Sequence, residues 1–240
     1  CAYARSAGDG VSGSARAGNS WCRMRAGEPL ILWDWTFSHL GDIWQRVLEH
    51  LELTIIAVTV GFVIAAVLTI AIRQTPLLYA PVTWFTGVLY TIPSLALFAL
   101  LVPITGLSVL TAEIGLVCYT LSILVRNMVA GLRGVPPDVR EAATGMGYSG
   151  WQMLWRIEVP LALTVIIAGV RIAVVTTIGL VTVTALIGQG GLGFLIRMGI
   201  DQFFSTPLLI GALLSVMLAV LCDAGLVVLQ RRATPWTRAT

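Results

Sequence analysis

Lysine does not occur in this 240-residue chain; all 15 basic residues are arginine. That absence excludes a phosphate-loop lysine, and with it ATP hydrolysis at a Walker-type site, and excludes any lysine Schiff base. Cysteine is scarce and dispersed. Cys1, Cys22, Cys118 and Cys222 form no C-x-x-C pair, so neither a zinc site nor a disulfide framework is indicated. The two histidines, His39 and His50, lack a metal-binding partner one helical turn away and are expected as interfacial polar residues. Acids are nearly missing from the apolar runs: Glu113 stands at a span edge and Asp223 further on. No nucleophile and base pair accompanies them. An enzyme, a metal centre and a cofactor site are therefore not expected.

Charge of either sign is thin. With 57% hydrophobic and 11% charged residues and a mean hydropathy of +0.89, the chain has too little polar surface for an ordinary soluble domain. It reads as an integral membrane protein. A spanning helix takes about 20 apolar residues, and such runs lie near 52–72, 81–104, 112–132, 160–187 and 206–229. The alternation of a barrel strand is absent, and helices satisfy their own backbone in lipid. The expectation is an all-α membrane protein of about five transmembrane helices.

Residues 1–32 are rich in Gly, Ala, Ser and Arg, lack an apolar core, and read as a disordered or non-native segment and not a signal peptide. Residues 33–51 mix tryptophan with acids, as an interfacial segment does. The membrane domain then covers 52–230, and 231–240 forms a tail. Arginine counts orient it. Arg73 follows the first span, the 105–111 turn has none, the 133–159 loop carries Arg133, Arg140 and Arg156, and the tail carries Arg231, Arg232 and Arg238. By the positive-inside rule the long loop and the C-terminal tail are cytoplasmic, in a multi-pass protein of the cell membrane. The small net charge of +3 is orientation signal and does not point to nucleic acid.

That loop is the most polar stretch between spans. Pro136 and Pro137 set up a helix at Asp138, along which Val139, Ala142, Ala143 and Met146 form a narrow apolar stripe. Gly147 permits a sharp turn, and Ser149 with Gln152 makes a capping box for a second helix. A short helix held below the membrane suits insertion into a groove on a partner.

Across 141–160 the loop reads Glu141, Ala142, Ala143, then Gly147, Ile157 and Pro160, with Val159 where leucine is customary. This spacing resembles the EAA loop of permease subunits in ABC importers. The stretches 91–107, 123–135 and 187–196 are similar to the osmoprotectant branch, which carries glycine betaine, choline or carnitine; the methionine branch has a comparable core. The resemblance runs over roughly 50–230. It implies a type I permease fold and a coupling helix that docks on cytoplasmic ATP-binding subunits, which perform the ATP hydrolysis. It also implies a second permease subunit, same or homologous, and an external substrate-binding protein. An ion-coupled secondary transporter remains the rival class.

Within the spans, Pro81, Pro93 and Pro103 predict a broken or kinked second span around Thr91, Ile92, Pro93 and Ser94. Irregular backbone at that depth marks either a translocation path or a packing kink. Candidate path or gating residues are Tyr90, Pro93, Ser94, Arg126, Asn127 and Arg171. Arg171 lies eleven residues beyond Pro160, about 16 Å along a helix, so it is expected near mid-membrane facing the bundle, a cavity or the second subunit. Arg126 has the alternative of snorkelling. Gly188, Gly190, Gly191 and Gly193 are assigned to an irregular turn at the external mouth, and Thr176, Thr177, Thr182 and Thr184 to hydrogen bonds across helices.

Overall fold

The computed structural model of the protein describes residues 30–235. The expectations for Cys1, Cys22, Arg238 and nearly all of the 1–32 segment lie outside them. The described residues are helical throughout, in ten α-helices: α1 (Trp33–Ser38), α2 (Leu40–Gln74), α3 (Tyr79–Thr91), α4 (Ser94–Thr105), α5 (Val109–Arg133), α6 (Pro137–Gly145), α7 (Gly150–Met153), α8 (Val159–Thr184), α9 (Gly191–Asp201) and α10 (Ser205–Ala233). Four helices are long and apolar enough to cross a membrane, or five if the bent α3–α4 pair is one span.

The first span starts earlier than its apolar run. α2 continues for 35 residues from Leu40, about 52 Å at 1.5 Å per residue, and so projects well beyond a hydrocarbon core of about 30 Å. The second span breaks as its prolines require. Proline at position 93 disfavours helical backbone at Ile92, which is extended at ψ 127°, and α3 stops at Thr91. Pro93 then leads into α4, which leaves α3 at 97°.

α2, α5 and α8 form the core. Ala65 and Ile72 of α2 pack with Leu124, Val125, Met128 and Val129 of α5 and with Ala173 of α8. Toward the other end, Leu53 and Ala57 meet Phe98 of α4, Leu116 of α5 and Val181 of α8. The α4–α5 contact is close because residue 115 is glycine: a Cβ there would overlap the buried Phe98 ring. Small residues at such crossings give the packing that associates helices in lipid.

Three local expectations are corrected. Thr177, Thr182 and Thr184 bond to Ala173, Gly179 and Val181 of their own helix, because a helical threonine hydroxyl reaches the carbonyl one turn back more readily than a neighbouring helix. His50 is not interfacial but fully buried, its Nε2 3.0 Å from the Ile178 carbonyl. Beyond the irregular turn at Gly188 and Gly190, with φ of +82° and +121°, an unanticipated amphipathic helix, α9, packs on α10 through Leu192, Leu195 and Ile210.

Candidate coupling loop and intramembrane charges

The loop between α5 and α8 is built by its own sequence. Pro136, extended at ψ 139°, precedes Pro137 in the first turn of α6, and Asp138 sits in the same turn, where a carboxylate complements the helix dipole. α6 ends at Gly145 and is followed after Met146 by Gly147, whose φ of +81° lies in the left-handed region. The Gly147 N–H donates to Thr144 O at 3.0 Å and the Tyr148 N–H to Ala143 O at 3.1 Å, the paired bonds of a Schellman end. α7 opens with both halves of a capping box: Gln152 N–H to Ser149 Oγ at 3.3 Å and Ser149 N–H to Gln152 Oε1 at 2.9 Å.

Of the apolar stripe on α6, Ala143 alone is buried. Ala142, Val139 and Met146 stay exposed, Met146 at 69%, as does Glu141. Trp151 on α7 and Trp155 just beyond it stand exposed, edge to face at 5.8 Å. The loop thus keeps a short helix with an uncovered small-residue and methionine face, the kind that fills a groove. Ile157 and Pro160 lie apart from this face, where the chain turns up into α8.

That junction is a π-helical turn over Leu154–Glu158. The Val159 N–H reaches back five residues to Leu154 O, and Pro160 has no N–H to offer the following carbonyl. The wide turn delivers Glu158 inward. Its side chain, 5% exposed, receives Arg73 Nε on Oε2 at 2.5 Å, while Arg140 Nε lies 3.3 Å from Oε1. The second contact is an ion pair outside hydrogen-bond geometry. Sequence reasoning passed over Glu158; the signal available was a single acid two residues before Pro160, at the foot of a span.

The other candidates are scattered. Tyr90 meets Tyr119 edge to face at 5.7 Å, and the Tyr119 hydroxyl donates to Ile92 O beside Pro93 and Ser94, so these four gather at the α3–α4 break. Arg126 is exposed on α5 near Gly87 of α3. Asn127 faces Gly169 of α8 at a close crossing, its amide bonded to Ile123 O. Arg171 turns to α10, donating to both Asp223 oxygens at 2.8 and 3.0 Å and to Gln230 Oε1 at 3.3 Å. No hydrogen bond or ion pair joins Arg126, Asn127 and Arg171 to one another among the described residues.

Residues 57–235 match the family described as the binding-protein-dependent transport system inner membrane component. The chain belongs to that family. It is 32% identical, over 81% of its length and 90% of the relative's, to the glycine betaine/carnitine/choline transport system permease protein OpuCB of Bacillus subtilis. To the osmoprotectant import permease protein OsmW of Salmonella typhimurium it is 38% identical, over 81% of this chain and 93% of that one. Among solved structures, an inward-facing form of the MetNI methionine ABC transporter superposes with a TM-score of 0.71 at 22% identity, over 80% of this chain and 96% of that one. That likeness shows a shared fold. The α5–α8 loop and helices α5, α8 and α10 lie inside the matched residues, as does α2 from Ala57 onward.

Proposed function

We propose that this family member is the membrane-spanning subunit of an ATP-driven importer of small osmoprotectants of the glycine betaine, choline and carnitine type. The two relatives matched over 90% and 93% of their own length are permeases named for glycine betaine, carnitine and choline in one case and for osmoprotectant import in the other. On this reading α6 docks on a cytoplasmic ATP-binding subunit through Glu141, Ala142 and Ala143. Gly147 sets the turn, and Ile157 and Pro160 pass the motion to α8. Tyr90, Pro93, Ser94, Arg126, Asn127 and Arg171 belong to the path or its gating. A second permease subunit completes the pathway, an external binding protein delivers the substrate, and both the loop and the C-terminal tail are cytoplasmic. The observation that carries the coupling assignment is α6 itself, opened by Pro137 and closed by the Gly147 turn yet uncovered at Ala142 and Met146.

A methionine substrate rests only on a fold likeness at 22% identity. Ion-coupled transport needs an available acid near mid-membrane; Asp223 is held by Arg171 on both oxygens, and Glu113 stands near the start of α5, at the edge of its span. Reconstituted with its ATP-binding subunits and binding protein, the permease should take up glycine betaine, choline or carnitine in an ATP-dependent manner that survives collapse of the ion gradients. Uptake of methionine alone would move it to the neighbouring branch. Uptake that follows an ion gradient without ATP would sink the importer reading.

A further inference from the structure

Among the described residues Glu158 is the one buried acid at the loop end of the bundle, and two arginines from different elements converge on it. Arg73 belongs to the last turn of α2; besides Glu158 it donates through Nη2 to Gly150 O at 3.0 Å, the first residue of α7. Arg140 belongs to α6 and donates through Nη2 to Leu132 O at 2.5 Å. Leu132 lies in the last turn of α5, where carbonyls lack helical partners and favour a cation. One carboxylate and two guanidiniums therefore tie together α2, α5, α6, α7 and the foot of α8. A cavity of about 180 Å³ adjoins them, lined also by Thr69, Val129 and Arg133.

We infer that Glu158 is a positioning residue for coupling. It is the joint through which displacement of α6 is transmitted to α2, α5 and α8 together. The inference rests on the reading of α6 as the helix that meets the ATP-binding subunit, and it adds how force leaves that helix. Apart from the joint, α6 is held by the packed methyl of Ala143, by the short chain at 134–136 and by the turn at Gly147. A short helix on such tethers can swivel without moving a span. The Arg140 contacts remove that freedom, because they fix the first turn of α6 to the end of α5 and to Glu158. The π turn beneath Glu158 lacks the tighter bonding of an α-helix and is the compliant element next to the rigid joint.

The test uses the complete complex in liposomes and reads three quantities: retention of the ATP-binding subunit, ATP hydrolysis, and uptake per ATP hydrolysed. Arg140→Gln leaves Glu158 paired with Arg73, so the fold should hold and the subunit should stay bound, while uptake per ATP falls about tenfold or more, within the usual range of coupling between sites. Arg140→Lys should restore part of it, since an ammonium can make the ion pair with Glu158 but lacks the second arm that holds Leu132 O. Glu158→Gln sets Arg73 and Arg140 against each other and should uncouple at least as strongly; if it does not accumulate, the Arg140 variants decide. Unchanged uptake per ATP in Arg140→Gln overturns the inference. Loss of the ATP-binding subunit from that variant also overturns it, because Arg140 would then be a docking residue, and so does failure of lysine to rescue. Gly147→Val run in parallel separates the two claims. Should it uncouple while Arg140→Gln does not, only the joint is wrong; should it leave coupling intact, the coupling reading of α6 fails and takes the joint with it.

Discussion

Arg171 of α8 and Asp223 of α10 face each other as a two-pronged ion pair, Nε to Oδ1 at 2.8 Å and Nη2 to Oδ2 at 3.0 Å. The fork geometry suits a guanidinium and a carboxylate and does not transfer to lysine. Both residues belong to helices that qualify as spans, so each justifies the other: either alone is an uncompensated charge in lipid. Arg171→Leu and Asp223→Leu should each lower the amount of folded protein in the membrane, and the double variant should recover most of that loss, since replacing both partners removes the charge altogether. Membrane abundance and melting temperature in detergent measure this. Additive losses in the double variant would show that the two residues act independently.

At Gly147 the backbone itself is the constraint. A φ of +81° with no neighbour near the missing Cβ means that a substitution there is opposed by conformation and not by crowding. Valine should cost about 1–3 kcal/mol of local strain; asparagine, which tolerates the left-handed region, should cost less. The expected outcome is normal insertion with lost ATP-dependent uptake for Gly147→Val and intermediate uptake for Gly147→Asn. Equal uptake by the two variants would mean that the turn does not set the loop.

What could be read from the sequence is what local chemistry dictates. Proline at 93 breaks the second span, the Ser149 and Gln152 pair caps α7, and glycine at 147 turns the chain after α6. Each is decided within a few residues. The pairings of Arg171 with Asp223, 52 positions apart, and of Arg73 with Glu158, 85 apart, depend on how whole helices cross, which no local pattern encodes. Along the α6 stripe, read as a face for a partner's groove, only Ala143 turns inward, and no other described residue covers the rest. His50, without a metal-binding partner one turn away, is expected at the interface, but α2 runs unbroken from Leu40 and carries it under α8 and α9. α9 was hidden by its opening glycines, which suggested an irregular turn; Gly193 instead lets the new helix lie against the Thr182 backbone.

The contact of Gly115 with Phe98 tests how tightly the bent span is held. Phe98 is 1% exposed and lies where any side chain at 115 would stand. Gly115→Leu should destabilise by about 1–3 kcal/mol through overpacking, and Phe98→Ala by about 3–5 kcal/mol through the cavity it leaves. Combined, the added and removed volumes partly offset, so the double variant should melt higher than the sum of the single losses predicts. Simple additivity in detergent melting would show that α4 moves aside freely and that the crossing is not a packed one.

Membrane orientation follows from where the fold gathers its arginines. Arg73 and Arg140 meet on Glu158, Arg133 closes α5, Arg156 lies in the π turn, and Arg231 and Arg232 end α10, whose Gln230 approaches Thr164 O near the foot of α8. Six arginines thus share one end of the bundle. At the other end the described arginines are Arg46 and Arg197, beside Phe194 and Ala185. The positive-inside rule counts such residues near span ends, and on that ground we propose that the richer end is cytoplasmic. Single cysteines at Thr144, on exposed α6, and at Leu107, 67% exposed in the turn between α4 and α5, report the two sides in a background whose own cysteines are replaced. An impermeant maleimide added to intact cells should label Leu107→Cys and reach Thr144→Cys only after permeabilisation. The reverse pattern would place the loop outside, beyond reach of any cytoplasmic ATP-binding subunit, and the coupling assignment would go with it.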